Sequence, residues 1–284
     1  MKKKLPLIIA ALIAVAVVVY LLIPKGETPA QPAATEAPAA TEAPTQSADL
    51  LQRIKDRGSL VIATEGNWSP WTYHDENGAL TGFDIEIAQL IAKELGVTLD
   101  AQEVPWDSIL PGVDTGRFDM ACNGVDYTAD RAEKYAFSDP YVYTEIVLVV
   151  NKDNDDIRTI EDLKGRTASN SPNSTYAQRA EAAGAAVTYV DTLGETMALV
   201  EQGRVDATIN AKGSVEDYLG EHPDAPIKIV LTIPGDPVCY PVAKTEDAAS
   251  LLAEVNRILA AARADGTLAA LSQKYFNADL TVAK

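Results

Sequence analysis

The sequence predicts an α/β protein with mostly parallel sheets, on three observations. From residue 58 onward, apolar runs of strand length alternate with segments of helical period. That order favours parallel strands whose crossover helices cover both faces of a sheet. The segment 85–95 carries apolar residues at 85, 88, 91, 92 and 95, with Asp84 before it as an N-cap and Gly96 after it as a stop. The third observation is the segment 116–131, Gly-Arg-Phe-Asp-Met-Ala-Cys-Asn-Gly-Val-Asp-Tyr-Thr-Ala-Asp-Arg. It leads from a helix-ending glycine through a short strand, 118–122, to an Asn-Gly turn and an arginine. Open α/β sheets take ligands at the carboxyl ends of their strands, and an arginine delivered there can grip a carboxylate through two parallel charge-assisted hydrogen bonds.

In chain order, residues 1–25 read as a membrane-targeting segment. Lys2, Lys3 and Lys4 precede an uncharged apolar run, 5–23, which at helical rise spans about 28 Å, close to the hydrocarbon thickness of a bilayer. Positive charge ahead of the run predicts a cytoplasmic N-terminus and export of the remainder. A cleaved signal peptide has a shorter apolar region followed by a small-residue site, whereas Tyr20-Leu-Leu-Ile-Pro-Lys25 follows here. An uncleaved anchor is therefore expected, with cleavage and secretion as the alternative. Residues 26–48 form a linker in which Ala-Ala-Thr-Glu-Ala-Pro occurs at 33–38 and again at 39–44. Lacking large apolar residues it cannot offset the entropy of folding, and its prolines keep it extended as a spacer.

The segment 49–284 is long enough for two moderate lobes or one large domain. A polar helix, 48–57, precedes the buried strand 58–64; after the helix 85–95 come a strand at 97–104, a helix at 106–115 and the strand 118–122. A strand at 145–150 then opens a second alternating set: 167–170, helix 174–183, 187–190, helix 194–201 and 205–209. Strands at 227–231 and 238–243 lead to closing helices at 250–265 and 267–275.

Composition removes several functions. The formal charge is −17, and the first 26 residues carry four lysines and no acid, leaving −21 on the rest. Nucleic-acid binding needs a basic footprint, so it is excluded. Cys122 and Cys239 are the only cysteines; they form no zinc or redox motif and read as small buried hydrophobes, with a disulfide left open. No phosphate loop, nucleophile elbow or metal spacing is present, and no cofactor is expected. His74 and His222 fall in loops.

From residue 58 to 275 the order of motifs resembles the extracytoplasmic solute-binding proteins, family 3, which feed polar amino acids to ABC importers. Gly58-Ser-Leu-Val-Ile-Ala-Thr64 is similar to that family's opening strand, Trp68-Ser-Pro-Trp-Thr-Tyr73 to its aromatic loop, and Gly82-Phe-Asp84 to the start of its first long helix. Thr128 to Arg131 and Phe137-Ser-Asp-Pro-Tyr141 are its most specific marks; Leu163-Lys-Gly165 and Gly203-Arg-Val-Asp-Ala207 fall in its second lobe. The resemblance implies two Rossmann-like lobes with mostly parallel sheets, joined by two crossing segments in the periplasmic-binding-protein-like II arrangement, with the ligand in the cleft. It divides the chain into lobe 1 at 49–149 and 240–284 and lobe 2 at 150–239.

The same resemblance implies site residues. Arg131 matches the arginine that takes the ligand's α-carboxylate. Ser174, Thr175 and Tyr176 stand where lobe 2 closes over the ligand from a helix start, with Asn173-Ser174 replacing the family's usual Gly-Thr. The aspartate that commonly meets the ammonium is Asn210 here, and Asp126 occupies a lobe 1 position that is often serine or threonine, so the acid is expected to have changed lobes. Trp68 matches the aromatic that packs on the ligand side chain, with Trp71 expected as wall or core. Glu65, just past the first strand, and Gly124, in the Asn-Gly turn, complete the set. The implied partners are a small amino-acid ligand and a membrane permease, with the chain a monomer held by its N-terminal helix. Polar amino acids and cystine both fit an amide-rich, tryptophan-walled pocket, which makes the cystine-like branch one expectation. A dehydratase on the same scaffold and a ligand-sensing subunit for a separate receptor are the alternatives.

Overall fold

A computed structural model describes residues 49–283; the expected anchor and linker lie outside the described residues. The chain forms α1 (Leu50–Arg57), β1 (Ser59–Thr64), the antiparallel pair β2 (Tyr73–His74) and β3 (Leu80–Thr81), α2 (Phe83–Leu95) and β4 (Thr98–Glu103). It continues through α3 (Trp106–Asp114), β5 (Met120–Ala121), α4 (Ala129–Lys134), β6 (Tyr135–Phe137) and β7 (Val142–Asn151). Next come β8 (Thr167–Asn170), α5 (Thr175–Ala182), β9 (Ala186–Tyr189), α6 (Leu193–Glu201), β10 (Ala207–Ala211) and α7 (Lys212–Glu221). The long strand β11 (Ile227–Val238), β12 (Pro241–Ala243), α8 (Ala249–Ala264) and α9 (Thr267–Phe276) complete it.

The first sheet is parallel throughout, in the order β4-β1-β5. Strand geometry sends alternate side chains to opposite faces. Leu60 and Ile62 accordingly enter one apolar cluster with α2 and α8, while Ala63 enters another with Ile109 and Val113 of α3. The second sheet has the order β11-β7-β10-β8-β9, parallel across β10-β8-β9 and antiparallel where β7 meets β10 and β11. Along β7, Ile146, Leu148 and Val150 face one core and Val147 and Val149 the other.

The two halves meet in the β7–β11 ribbon. Val142 and Val238, paired across it, belong to the core of the first sheet, whereas Ile146 already belongs to that of the second. The expected strands 227–231 and 238–243 are instead one strand, β11, followed by the separate β12, which pairs with β6. Proline ordinarily ends a central strand, yet Pro234 and Pro237 lie inside this one. Here β11 is an edge strand, and its register shifts between those two prolines, the setting in which a strand tolerates proline.

Two further differences have local causes. The strand expected at 118–122 narrows to Met120–Ala121, because the Asp119 carboxylate, rather than a main-chain carbonyl, takes the Val61 N–H at 2.8 Å. Asp84 is not the N-cap of α2. That position falls to Gly82, whose φ is 124° and where a Cβ would run into the Trp71 carbonyl. Asp84 lies in the first helical turn with no exposure at all. One of its oxygens accepts from the Tyr141 hydroxyl at 2.6 Å and the Tyr240 hydroxyl at 3.3 Å, and the other from the Gly124 N–H. The tyrosine rings stack 4.1 Å apart. Cys122 and Cys239 are both buried and free.

Candidate ligand-binding site

The carboxyl ends of β1, β5, β8 and β10 converge on one cavity. All nine residues singled out from the sequence line it: Glu65, Trp68, Gly124, Asp126 and Arg131 from the first half, and Ser174, Thr175, Tyr176 and Asn210 from the second. Trp71 does not line it; it is core, stacked under Trp68 at 5.3 Å and 11°.

Arg131 is positioned by the short helix α4, whose N-cap Thr128 accepts from the Arg131 N–H at 3.2 Å. Its guanidinium donates to the main-chain carbonyl of Asp126 at 2.9 Å and to that of Asn173, across the cleft, at 3.2 Å. It lies over the Trp106 ring, 5.4 Å from the centroid. Among the described residues no carboxylate forms an ion pair with it, so a buried-edge cation stands ready for an anion. Asp126, 6 % exposed, accepts from the Thr175 hydroxyl on the opposite side of the cleft. Burial is the largest effect on its carboxyl and raises its pKa to about 6, against the lowering effects of Thr175 and Arg131.

The start of α5 faces the same space. Ser174 caps it, accepting from the Ala177 N–H at 3.0 Å, and Asn173 before it has a φ of 61°. Such a helix start favours negative charge. Asn210 spends its side-chain oxygen on the neighbouring Ala211 N–H at 2.9 Å. Gly124 turns away from β5 at φ 56°, and a Cβ there would come within 2.7 Å of the Trp68 ring. Gly124→Ala is expected to cost about 2–3 kcal/mol of stability, from the left-handed backbone and the overpacked ring. Denaturant titration checks this; a variant within about 0.5 kcal/mol of the parent contradicts it.

Glu65 is tied to Asn123 in both directions: its N–H donates to the Asn123 side-chain oxygen at 2.8 Å, and its carboxyl accepts from the Asn123 amide at 2.7 Å. Burial, then the field of Asp191, push its pKa up to about 7, with the Asn123 bond opposing. A folded-state pKa above the usual 4.5 means the folded protein favours the proton. That contribution to stability is full below about pH 4.5 and is lost as pH rises through about 7. Relative to Glu65→Gln, the ligand-free parent should therefore lose melting temperature between pH 5 and pH 8. Parallel pH profiles for the two proteins would contradict the shift.

Sequence reasoning missed Asn123, Trp106, Asn170 and Asp191, all of which line the cavity. Asn123 and Asn170 sit at strand ends, where the same rule that picked out Glu65 would have found them. Among the described residues no cluster of histidine, cysteine and acid side chains is arranged to hold a metal ion, and no helix is long and apolar enough to cross a membrane.

A cleft between two α/β halves, lined by strand ends and crossed by a paired ribbon, defines a two-lobed binding protein of the periplasmic-binding-protein type II fold. The chain belongs to the bacterial extracellular solute-binding proteins, family 3, whose family model matches residues 60–278. It is 38% identical over 237 residues to the L-cystine-binding protein TcyA of Bacillus subtilis (strain 168), covering 83% of this chain and 88% of that protein. Among solved structures, an ancestral arginine-binding protein bound to arginine matches with a TM-score of 0.73 at 35% identity, covering 78% of this chain and 99% of that one. The L-cystine solute receptor of Neisseria gonorrhoeae, unliganded and open, matches at 0.56 with 37% identity, covering 83% and 100%.

Proposed function

We propose that this chain is the amino-acid-capturing component of an ABC importer, working by lobe closure and delivering its ligand to a membrane permease. The observation that carries the reading is the cavity itself, where an arginine that no carboxylate among the described residues pairs and a buried carboxylate line the same space. A zwitterion satisfies both. Arg131 and the start of α5 take the α-carboxylate, Asp126 takes the α-ammonium, and Trp68 packs on the side chain. The bonds from Arg131 to Asn173 and from Thr175 to Asp126 already join the lobes. At nearly equal identity, the better match to the arginine-bound structure than to the open receptor supports a closed arrangement here. A ligand that touches both lobes selects that state by its difference in affinity.

In this reading the crossings run through β7 and the end of β11, so the lobe boundaries fall where the core changes along those strands rather than at 149/150. The segment 5–23 anchors the protein, uncleaved, on the outer face of the cell membrane, with 26–48 as tether, and the chain acts as a monomer. No step calls for covalent chemistry, so the chain is a binding protein rather than an enzyme. Thermal unfolding of the full-length chain, stripped by denaturation and refolding, tests this against the protein amino acids and cystine. A ligand at about 100 times its dissociation constant should stabilise by roughly 2.7 kcal/mol. Asp126→Asn should weaken the best responder at least about tenfold, the worth of one charge-assisted hydrogen bond. Silence across the whole panel would contradict the reading, and unchanged affinity in Asp126→Asn would remove the role given to that carboxylate.

A further inference from the structure

The cavity has a second charged end that the α-amino and α-carboxyl groups leave unused. Its lining carries three carboxylates, Glu65, Asp126 and Asp191, against one guanidinium, Arg131. These groups divide into two sets: Asp126 acts on Arg131, whereas the charged neighbour acting on Glu65 is Asp191. Glu65 follows β1 on one lobe, and Asp191 follows β9 on the other. Asn170, 1 % exposed, ends β8, and its carbonyl accepts the Val190 N–H at 3.2 Å, which places it beside the segment carrying Asp191. The Asn170 amide donates to the Thr208 hydroxyl at 3.1 Å and the Ile209 carbonyl at 2.8 Å. The Ile209 carbonyl can only accept, so the end of the Asn170 amide that faces it is the NH2 and the amide's orientation is fixed. Its side-chain oxygen then remains buried, on the cavity wall, without a partner among the described residues.

A buried acceptor without a donor and two like charges held across a cleft are each unfavourable, and a single cation relieves both. We propose that Glu65, Asp191 and Asn170 form a cation-receiving subsite for the ligand's side chain, with Asp191 setting specificity from the second lobe. The substrate class is then α-amino acids whose side chain ends in an ammonium or guanidinium. The proposal rests on the amino-acid-binding reading above. A cation between Asp191 and Glu65 removes the repulsion that opposes their approach, so a cationic ligand favours the closed state further. Cystine suits this end less well, since its far half brings a carboxylate together with its ammonium.

The other titratable groups near Glu65 are Glu103 and His74. These two pair at 3.2 Å beside the Gly66 turn, and His74 also meets the Gly66 carbonyl at 3.1 Å. Neither supplies Glu65 with a bonded partner. A ligand cation displaces the proton held on Glu65. Deprotonation of Asp126 raises affinity for every α-amino acid as pH passes about 6, so from pH 5.5 to pH 8 affinity for a cationic amino acid should rise more steeply than that for a neutral one.

Titration calorimetry of the stripped full-length chain with L-arginine, L-lysine, L-citrulline, L-glutamine and L-cystine tests the subsite. L-Citrulline is the neutral counterpart of arginine in shape. Arginine or lysine is expected to bind at least about 30-fold tighter than citrulline, the worth of a charge-assisted contact in a buried site. Asp191→Asn should narrow that gap by about tenfold while moving citrulline affinity less than about threefold. Citrulline, glutamine or cystine binding as tightly as the cationic ligands would overturn the subsite and leave the amino-acid reading standing. An equal loss for arginine and citrulline in Asp191→Asn would show a structural role and overturn the specificity assignment. No binding by any of the five, or by the remaining amino acids, would overturn both.

Discussion

Arg131→Ala is expected to lower affinity for the bound amino acid by about 100-fold or more, with the protein still folded. Truncating one member of a buried hydrogen-bonded charge pair typically costs about 2–5 kcal/mol, much of it from leaving the other charge unpaired. The ligand's carboxylate would be that stranded group. The side chain stands on a short capped helix and contributes to no apolar cluster, so folding does not depend on it. Its two bonds in the ligand-free protein run to carbonyls on both sides of the cleft, at Asp126 and Asn173. The alanine variant should therefore also favour the open form. Arg131→Lys keeps the charge but loses the planar fork, and should recover only part of the affinity. Calorimetry with the best responder checks both; affinity within a few-fold of the parent in Arg131→Ala contradicts the role.

Asp84→Ala should produce the largest loss of stability, about 3–5 kcal/mol. Its carboxyl, wholly buried, gathers two tyrosine hydroxyls and the Gly124 N–H, and its removal leaves three donors without acceptors. Burial raises the Asp84 pKa to about 6, with Tyr141, Gly124 and Tyr240 pulling it back. Asp84→Asn keeps an acceptor for the tyrosines but turns an NH2 toward the Gly124 N–H, so an intermediate loss of about 1–3 kcal/mol is expected. The consequence reaches the cavity, because Gly124 backs the Trp68 ring. Urea unfolding gives the cost directly, and a loss under about 1 kcal/mol in Asp84→Ala would show that the tyrosines find other acceptors.

Asp84 also shows what a sequence withholds. An acid ahead of an amphipathic run has the pattern of an N-cap, and only the tertiary approach of Tyr141, Tyr240 and Gly124 gives it a different role. β11 failed for the opposite reason: its prolines carry a strong local signal, and edge placement with a register shift overrides it. The helix α7 was not foreseen, since its lysine, glycines and acids give little apolar periodicity. By contrast β1, β8 and β9 and the helices that follow them were legible, because alternation of period and glycine stops are properties of the chain itself. The cavity was partly legible for the same reason. Glu65, Gly124 and Asn210 lie at or just past strand ends, and Arg131 stands in the short helix that follows β5. Asp191 and Asn170 passed unnoticed because nothing local distinguishes a strand-end amide or acid that faces a cleft from one that faces water.

Native mass spectrometry of the stripped and refolded full-length chain, after exposure to an equimolar mixture of the protein amino acids and cystine, tests amino-acid capture most directly. One adduct with the mass of a single amino acid is expected on the parent and should be missing from Arg131→Ala. A parent spectrum free of any adduct, or an adduct retained in full by Arg131→Ala, would contradict it.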